Sequence, residues 1–130
     1  MILDTSALLA ILLNEADAAA YATAIAEAAD RRISAATWVE TAQVITTRRG
    51  ERGVDAFRAL VKKMQAKIEP VDLAQAELAY SALRQFGRGR HPAALNFGDC
   101  FSYALSKASG EPLLFTGDDF RKTDIQPALP

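Results

Sequence analysis

The chain has 130 residues, half of them hydrophobic and 24% charged, with a formal net charge of -1. That profile suits one ordinary globular domain, 1–130, and leaves no room for two; it also lacks the global basic field that many nucleic-acid binders carry. The single cysteine, Cys100, excludes an internal disulfide and a cysteine-built zinc cluster, and fits a reducing cytoplasm.

The N-terminus lacks the basic region and cleavage site of an export signal. Residues 2–13 are apolar but interrupted by Asp4, Thr5 and Ser6, and too short to span a bilayer. A soluble, cytoplasmic protein without membrane association is expected. Residues 1–3 predict a short buried strand that ends at a polar turn. "DTSALLAILLNE" then changes to helical composition, with Asp4 or Thr5 placed to cap it. "EADAAAYATAIAEAADR" predicts a second helix carrying Tyr21, Ile25 and Ala28 at helical spacing, and "RRISAAT" a short strand around Ile33. In "TWVETAQVITTRR" a helix is expected with Val39, Ala42 and Ile45 or Thr46 on one face, ended by Gly50. "GVDAFRALVKKMQAK" places Val54, Phe57, Val61 and Met64 on one stripe. "IEPV" reads as a strand that Pro70 keeps at an edge or an end. The next helix, "DLAQAELAYSALRQF", has Asp72 as its cap and Leu73, Ala76, Tyr80 and Leu83 expected inward. "GRGRHPAALNFG" reads as a loop, "DCFSYALSKAS" as a helix stopped by Gly110, "PLLFTG" as a buried strand, "DDFRKT" as a turn and "DIQPALP" as a final short strand and tail. Strands alternating with helices predict an α/β domain around a mostly parallel sheet. Ligands collect at the carboxyl ends of the strands in such sheets.

Four of the acidic residues share that predicted edge. Asp4 follows the first strand, Glu40 and Asp99 lie near helix starts, and Asp118 follows "LLFTG". Each has a plain structural explanation. "TWVE" has the spacing of a capping box from Thr37 to Glu40, "NFGD" is a looser version, Asp4 is a cap and Asp118 a turn residue. Together, however, four carboxylates on one rim repel one another, and no lysine or arginine in these motifs neutralises them. A divalent cation would. All-oxygen ligation suits Mg²⁺, with Mn²⁺ as substitute, and points to metal-assisted chemistry on a phosphate ester.

The ordered set "MILDTSALLAIL", "TWVE", "NFGDCFSYALS" and "LLFTGDDF" resembles the PIN-domain family, and within it the VapC-type toxins of bacterial toxin–antitoxin pairs, nearly end to end. The resemblance implies a three-layer fold, with a central short-stranded sheet flanked by helices, and a metal-dependent endoribonuclease that hydrolyses RNA phosphodiesters to leave a 5′-phosphate and a 3′-hydroxyl. By motif it implies Asp4, Glu40, Asp99 and Asp118 as catalytic acids. Asp4 and Asp99 would be direct ligands, Glu40 and Asp118 would join them, and Asp119 competes with Asp118. Thr5, Ser6 and Thr116 would support the site from behind. The resemblance further implies a homodimer and a toxin–antitoxin hetero-oligomer with a VapB-type antitoxin that blocks the site.

Arg88, Arg90 and His91, in the loop before Asp99, are candidates to hold RNA phosphates, weighed against a plain solvated loop. Arg48, Arg49 and Arg52 fit a helix C-terminus better than a ligand site, Trp38 fits packing better than base stacking, and Cys100 reads as a buried small residue. A haloacid-dehalogenase-type phosphatase needs a second aspartate where Ser6 stands, and a response-regulator receiver needs an acidic pair and a late lysine that are missing. A non-catalytic PIN-like module that holds RNA or protein remains the alternative.

Overall fold

The computed structural model describes residues 1–130. Four short strands form one parallel sheet: β1 (Ile2–Leu3), β2 (Arg32–Ser34), β3 (Lys67–Glu69) and β4 (Leu113–Leu114), in the order β3-β2-β1-β4. The helices are α1 (Thr5–Leu12), α2 (Ala18–Glu27), α3 (Ala35–Lys63), α4 (Leu73–Phe86) and α5 (Phe97–Ser109). Because side chains alternate along a strand, the sheet divides the core in two. Ile2 and Leu113 face a cluster with Ala79, Ala82, Phe86 and Ala104 from α4 and α5. Leu3, Ile33 and Leu114 face the other way, onto Leu8, Ile25, Phe57 and Met64 from α1, α2 and α3. Helices on both faces of a parallel sheet make the expected three-layer α/β architecture. Each fully buried side chain such as Phe57 adds about 1.5–3 kcal/mol.

The strand order reverses direction between β1 and β4. The chain moves outward from β1 through β2 to β3, then returns to place β4 on β1's free side. Such a switch point opens a crevice at the carboxyl ends of the two strands. Asp4 leaves β1 there, and Phe115 and Thr116 leave β4 there. Asp4 N–H donates to Leu114 O at 3.0 Å, so the ladder runs up to the crevice itself.

Gly50 ends the first helix of the α3 span as expected: with φ 65° and ψ -159° it is non-helical, and Ala35–Lys63 is two helices joined across a kink there. Arg48 and Arg49 therefore stand at the C-terminal end of the first helix, as expected, and Arg52 lies just past the break. Several expectations change. Val39 is 61% exposed, and the inward row of α3 is Thr37, Thr41 and Ile45. On α4 the inward row is Ala79, Ala82 and Phe86, while Leu73, Tyr80 and Leu83 are exposed. The expected stripe is apolar, but α4 has two apolar faces. The one with alanines packs on α5, because small side chains let the helices approach closely. The final segment makes only a single parallel bridge, Leu113 with Pro127, in place of a strand. The "DDFRKT" turn holds a short 3-10 helix, Phe120–Lys122. Trp38 packs on Phe57 with ring centroids 5.5 Å apart, as a core aromatic.

Candidate active site

Asp4 is the N-cap of α1 and is 2% exposed. Its Oδ2 accepts from Ser6 N–H at 3.0 Å and from the Ser6 hydroxyl at 2.6 Å. Its Oδ1 accepts from the Ser102 hydroxyl at 2.6 Å. Ser102 spends its only proton on Asp4, so the Thr37 hydroxyl, 3.2 Å away, must be the donor to Ser102. Ser6 Oγ in turn accepts from Thr116 N–H at 3.0 Å, which ties β1 to the segment after β4 across the switch point. Thr41 Oγ1 lies 3.2 Å from Thr5 Oγ1 and 2.8 Å from Thr37 O. A buried layer of hydroxyls thus fixes Asp4 in place.

Asp99 stands on the first turn of α5 in a complete capping box. Asp99 N–H donates to Asn96 Oδ1 at 2.8 Å, and Asn96 N–H donates to Asp99 Oδ2 at 2.9 Å. The structural reading of "NFGD" holds, then, and leaves Oδ1 free. "TWVE", by contrast, is not a capping box. α3 begins at Ala35 after Ser34, so Thr37 is already inside the helix and buried. That frees Glu40, whose carboxylate lies against Gly98 on the first turn of α5.

The charges of these three acids act on one another. Burial pushes Asp99 up to about 7, and the charges of Asp4, Glu40 and Asp119 add to the shift. Burial also raises Glu40, with Asp4 adding and a hydrogen bond from Thr5 opposing. No lysine or arginine forms an ion pair with Asp4, Glu40, Asp99, Asp118 or Asp119; every ion pair in the chain lies elsewhere. Of the two acids after β4, Asp119 is the one whose charge reaches Asp99. Asp118 lines a separate groove with Tyr21, Phe115 and Arg121. Both are exposed.

No three Asp, Glu, His or Cys side chains are gathered closely enough to form a ready-made cage. The donors nonetheless fit a hard divalent cation. They are oxygens only, they lack a balancing cation, and Gly98 leaves a cradle that a Cβ would fill with overlap onto Glu40. Mg²⁺ characteristically takes one or two carboxylates and keeps several waters, so an open, partly assembled set is the arrangement it uses.

The remaining candidates fall into place around this centre. Thr5 and Ser6 use their hydroxyls toward Glu40 and Asp4, whereas Thr116 contributes its backbone N–H. Arg88 and Arg90 are exposed in a loop closed by the Gly87–Leu95 bridge, and that loop runs directly into the Asn96 cap. His91 is held structurally: Nδ1 accepts from Ala93 N–H at 3.0 Å and the ring packs edge-on to Phe86. Cys100 is buried, as expected, with its thiol pushed up to about 11 by burial. Sequence reasoning missed Ser102, Thr37 and Thr41 as parts of the site, and Gly98 as more than a helix start. Their signal was spacing: Ser102 lies three residues past Asp99, Thr37 three before Glu40, and Thr41 four past Thr37, each pair on a shared helix face.

Comparisons with known proteins bear on the family and the fold. Residues 1–126 match the family model of the PIN domain. Ribonuclease VapC28 of Mycobacterium tuberculosis is 50% identical over 130 residues, covering 99% of this chain and 98% of that one. Ribonuclease VapC of Mycolicibacterium smegmatis is 48% identical over 125 residues, covering 96% and 97%. Among solved structures, Mycobacterium tuberculosis VapC20, described as a sarcin-ricin loop cleaving toxin, superposes with a TM-score of 0.79 over 95% of each chain at 20% identity, a likeness of fold.

Proposed function

The chain belongs to the PIN-domain family, and on that premise we propose that it is a divalent-metal-dependent endoribonuclease acting as the toxin of a toxin–antitoxin pair. The single observation that carries this reading is the set Asp4, Glu40 and Asp99, brought to one sheet edge with no cation beside it. Near-full-length relatives called ribonucleases support the reaction class.

Asp4 and Asp99 would hold the metal, with Glu40 and the exposed Asp119 completing the acidic wall. We favour Asp119 over Asp118 for the fourth position because its charge is felt at Asp99. A bound Mg²⁺ or Mn²⁺ would supply Lewis acidity toward a phosphate oxygen and a water. The chain's own part is orientation. Ser6 and Ser102 hold Asp4's carboxylate in one orientation: Oδ2 already accepts two hydrogen bonds, and Oδ1, which accepts one, keeps a further lone pair for a cation. Asn96 holds Asp99 by one oxygen and leaves the other. Arg88 and Arg90 supply positive charge for the flanking phosphates of the RNA, and His91 serves their loop as a structural residue.

We also propose the assembly that the resemblance implies. The exposed apolar face of α4 and α5, with Leu73, Tyr80, Leu83 and the 73%-exposed Phe97, suits a homodimer contact. A groove of about 420 Å³ between α1, α2 and the end of α3, floored by Ile11, Ile25, Leu60 and Met64 and edged by Arg31 and Lys63, suits an apolar antitoxin segment with acidic flanks. No helix is long and apolar enough to cross a membrane, and we place the activity in the cytoplasm, where RNA is available.

Incubation with RNA and Mg²⁺ or Mn²⁺ is expected to yield fragments ending in 5′-phosphate and 3′-hydroxyl. EDTA, Asp4→Ala and Asp99→Asn should each abolish them. Cleavage that survives all three would refute the proposal, and Mn²⁺ binding without any cleavage would favour an inert RNA- or protein-binding module.

A further inference from the structure

Gly98 decides where Glu40 can stand. Glu40 rises from the second turn of α3 and lays its carboxylate on the first turn of α5, where Gly98 is the second residue. A Cβ at position 98 would overlap Glu40 Oε2 and Cδ. Those atoms are the far end of a flexible side chain, so a larger residue would displace Glu40 and leave the backbone where it is. Backbone freedom does not explain the glycine. The positive-φ glycines are Gly50, Gly89, Gly110 and Gly117, whereas Gly98 lies within α5 and outside that set. Alanine is the better helix former at such a position. What glycine contributes is space, and the atoms that occupy it belong to one acidic side chain.

We propose that Gly98 is a positioning residue: by lacking a side chain it lets the Glu40 carboxylate rest on the α5 turn that carries Asp99, so that the acids of α3 and α5 act on one cation. This rests on the reading of Glu40 as part of the metal-holding wall. Asp4 and Asp99 are anchored by hydrogen bonds that occupy no space at position 98, whereas Glu40, though Thr5 hydrogen-bonds it, lays its carboxylate in the room left there. Enlarging residue 98 should therefore move Glu40 and spare the other two.

The test is Mn²⁺ titration by calorimetry on the full chain, for the parent, Gly98→Ala, Glu40→Ala and the double variant, with a crystal structure of Gly98→Ala. Gly98→Ala should melt at or above the parent temperature while binding Mn²⁺ about 10- to 100-fold more weakly. Its structure should show the Glu40 carboxylate swung off α5. The double variant should bind no more weakly than Glu40→Ala alone, because both changes remove the same contact. Parent-like Mn²⁺ affinity in Gly98→Ala, losses that multiply in the double variant, or a collapse of its melting temperature would each overturn the inference. A parent that binds no Mn²⁺ would overturn the metal reading itself, and this inference with it; a binding parent with an indifferent Gly98→Ala overturns the inference alone.

Discussion

The two walls of the acidic crevice are built on opposite plans. On the β1–α1 wall, Asp4 is buried and both of its oxygens accept hydrogen bonds from Ser6 and Ser102. On the α3–α5 wall, Glu40 and Asp99 are half-buried, raised by burial and by their neighbours' charges, and hold few compensating bonds. The first wall fixes geometry. The second carries a charge that the protein alone leaves unbalanced. A carboxylate that hydrogen bonds already satisfy belongs to the fold as much as to the site, whereas one that is desolvated beside like charges is stable only when something positive arrives.

Breaking the first wall should have the largest effect. Asp4→Ala is expected to lower RNA cleavage by at least about 100-fold. It should also destabilise the protein by about 1–3 kcal/mol, because the buried Ser102 hydroxyl loses its acceptor. Activity and a thermal melt on the same preparation would show both losses.

The second wall should separate the two properties. Asp99→Asn keeps a carbonyl oxygen for the Asn96 N–H, so cleavage should fail while the metal-free protein gains stability. Asp99 titrates near 7 when folded and near the ordinary 3.8 when unfolded. The native state therefore holds the extra proton between those values, and stability falls as pH rises from about 4 to about 7. Below that window both states are protonated and no penalty exists; above it the full penalty is present. Discounted for the part that solvent reaches, the penalty is on the order of 1–2 kcal/mol. At pH 8 the asparagine variant should melt several degrees above the parent, and at pH 4 the two should coincide. Equal melting at both pH values would remove the contrast between the walls.

The smallest effect belongs to the exposed acids after β4. Asp119→Asn should weaken cleavage by roughly 10-fold, while Asp118→Asn, which faces the Arg121 groove, should leave it near the parent rate. The reverse ranking in a side-by-side assay would move the wall to Asp118.

Much of this could be read from the residues. A strand ending in Asp4 and the capping spacing of Asn96 and Asp99 are local signals, and local signals fix local structure. Alternation of strands and helices then placed Asp4, Glu40 and Asp99 on one edge. What stayed hidden depended on contacts far apart in sequence. Ser102 reaches Asp4 across 98 positions, and Gly98 looks like an ordinary helix-start glycine until Glu40 is seen lying on it. The inward face of α4 differs from the expected one because periodicity marks an apolar row without saying which row a neighbouring helix will cover. Thr37 has capping spacing but not a capping role, because Ser34 already begins the helix.

Melting the parent protein at pH 8 in EDTA and in saturating Mg²⁺ or Mn²⁺ tests the central claim most directly. A cation that neutralises the α3–α5 wall should raise stability by about 2.7 kcal/mol at a hundredfold excess over its dissociation constant, and the gain should vanish in Asp4→Ala and Asp99→Asn. Identical melts with and without the metal would contradict the account.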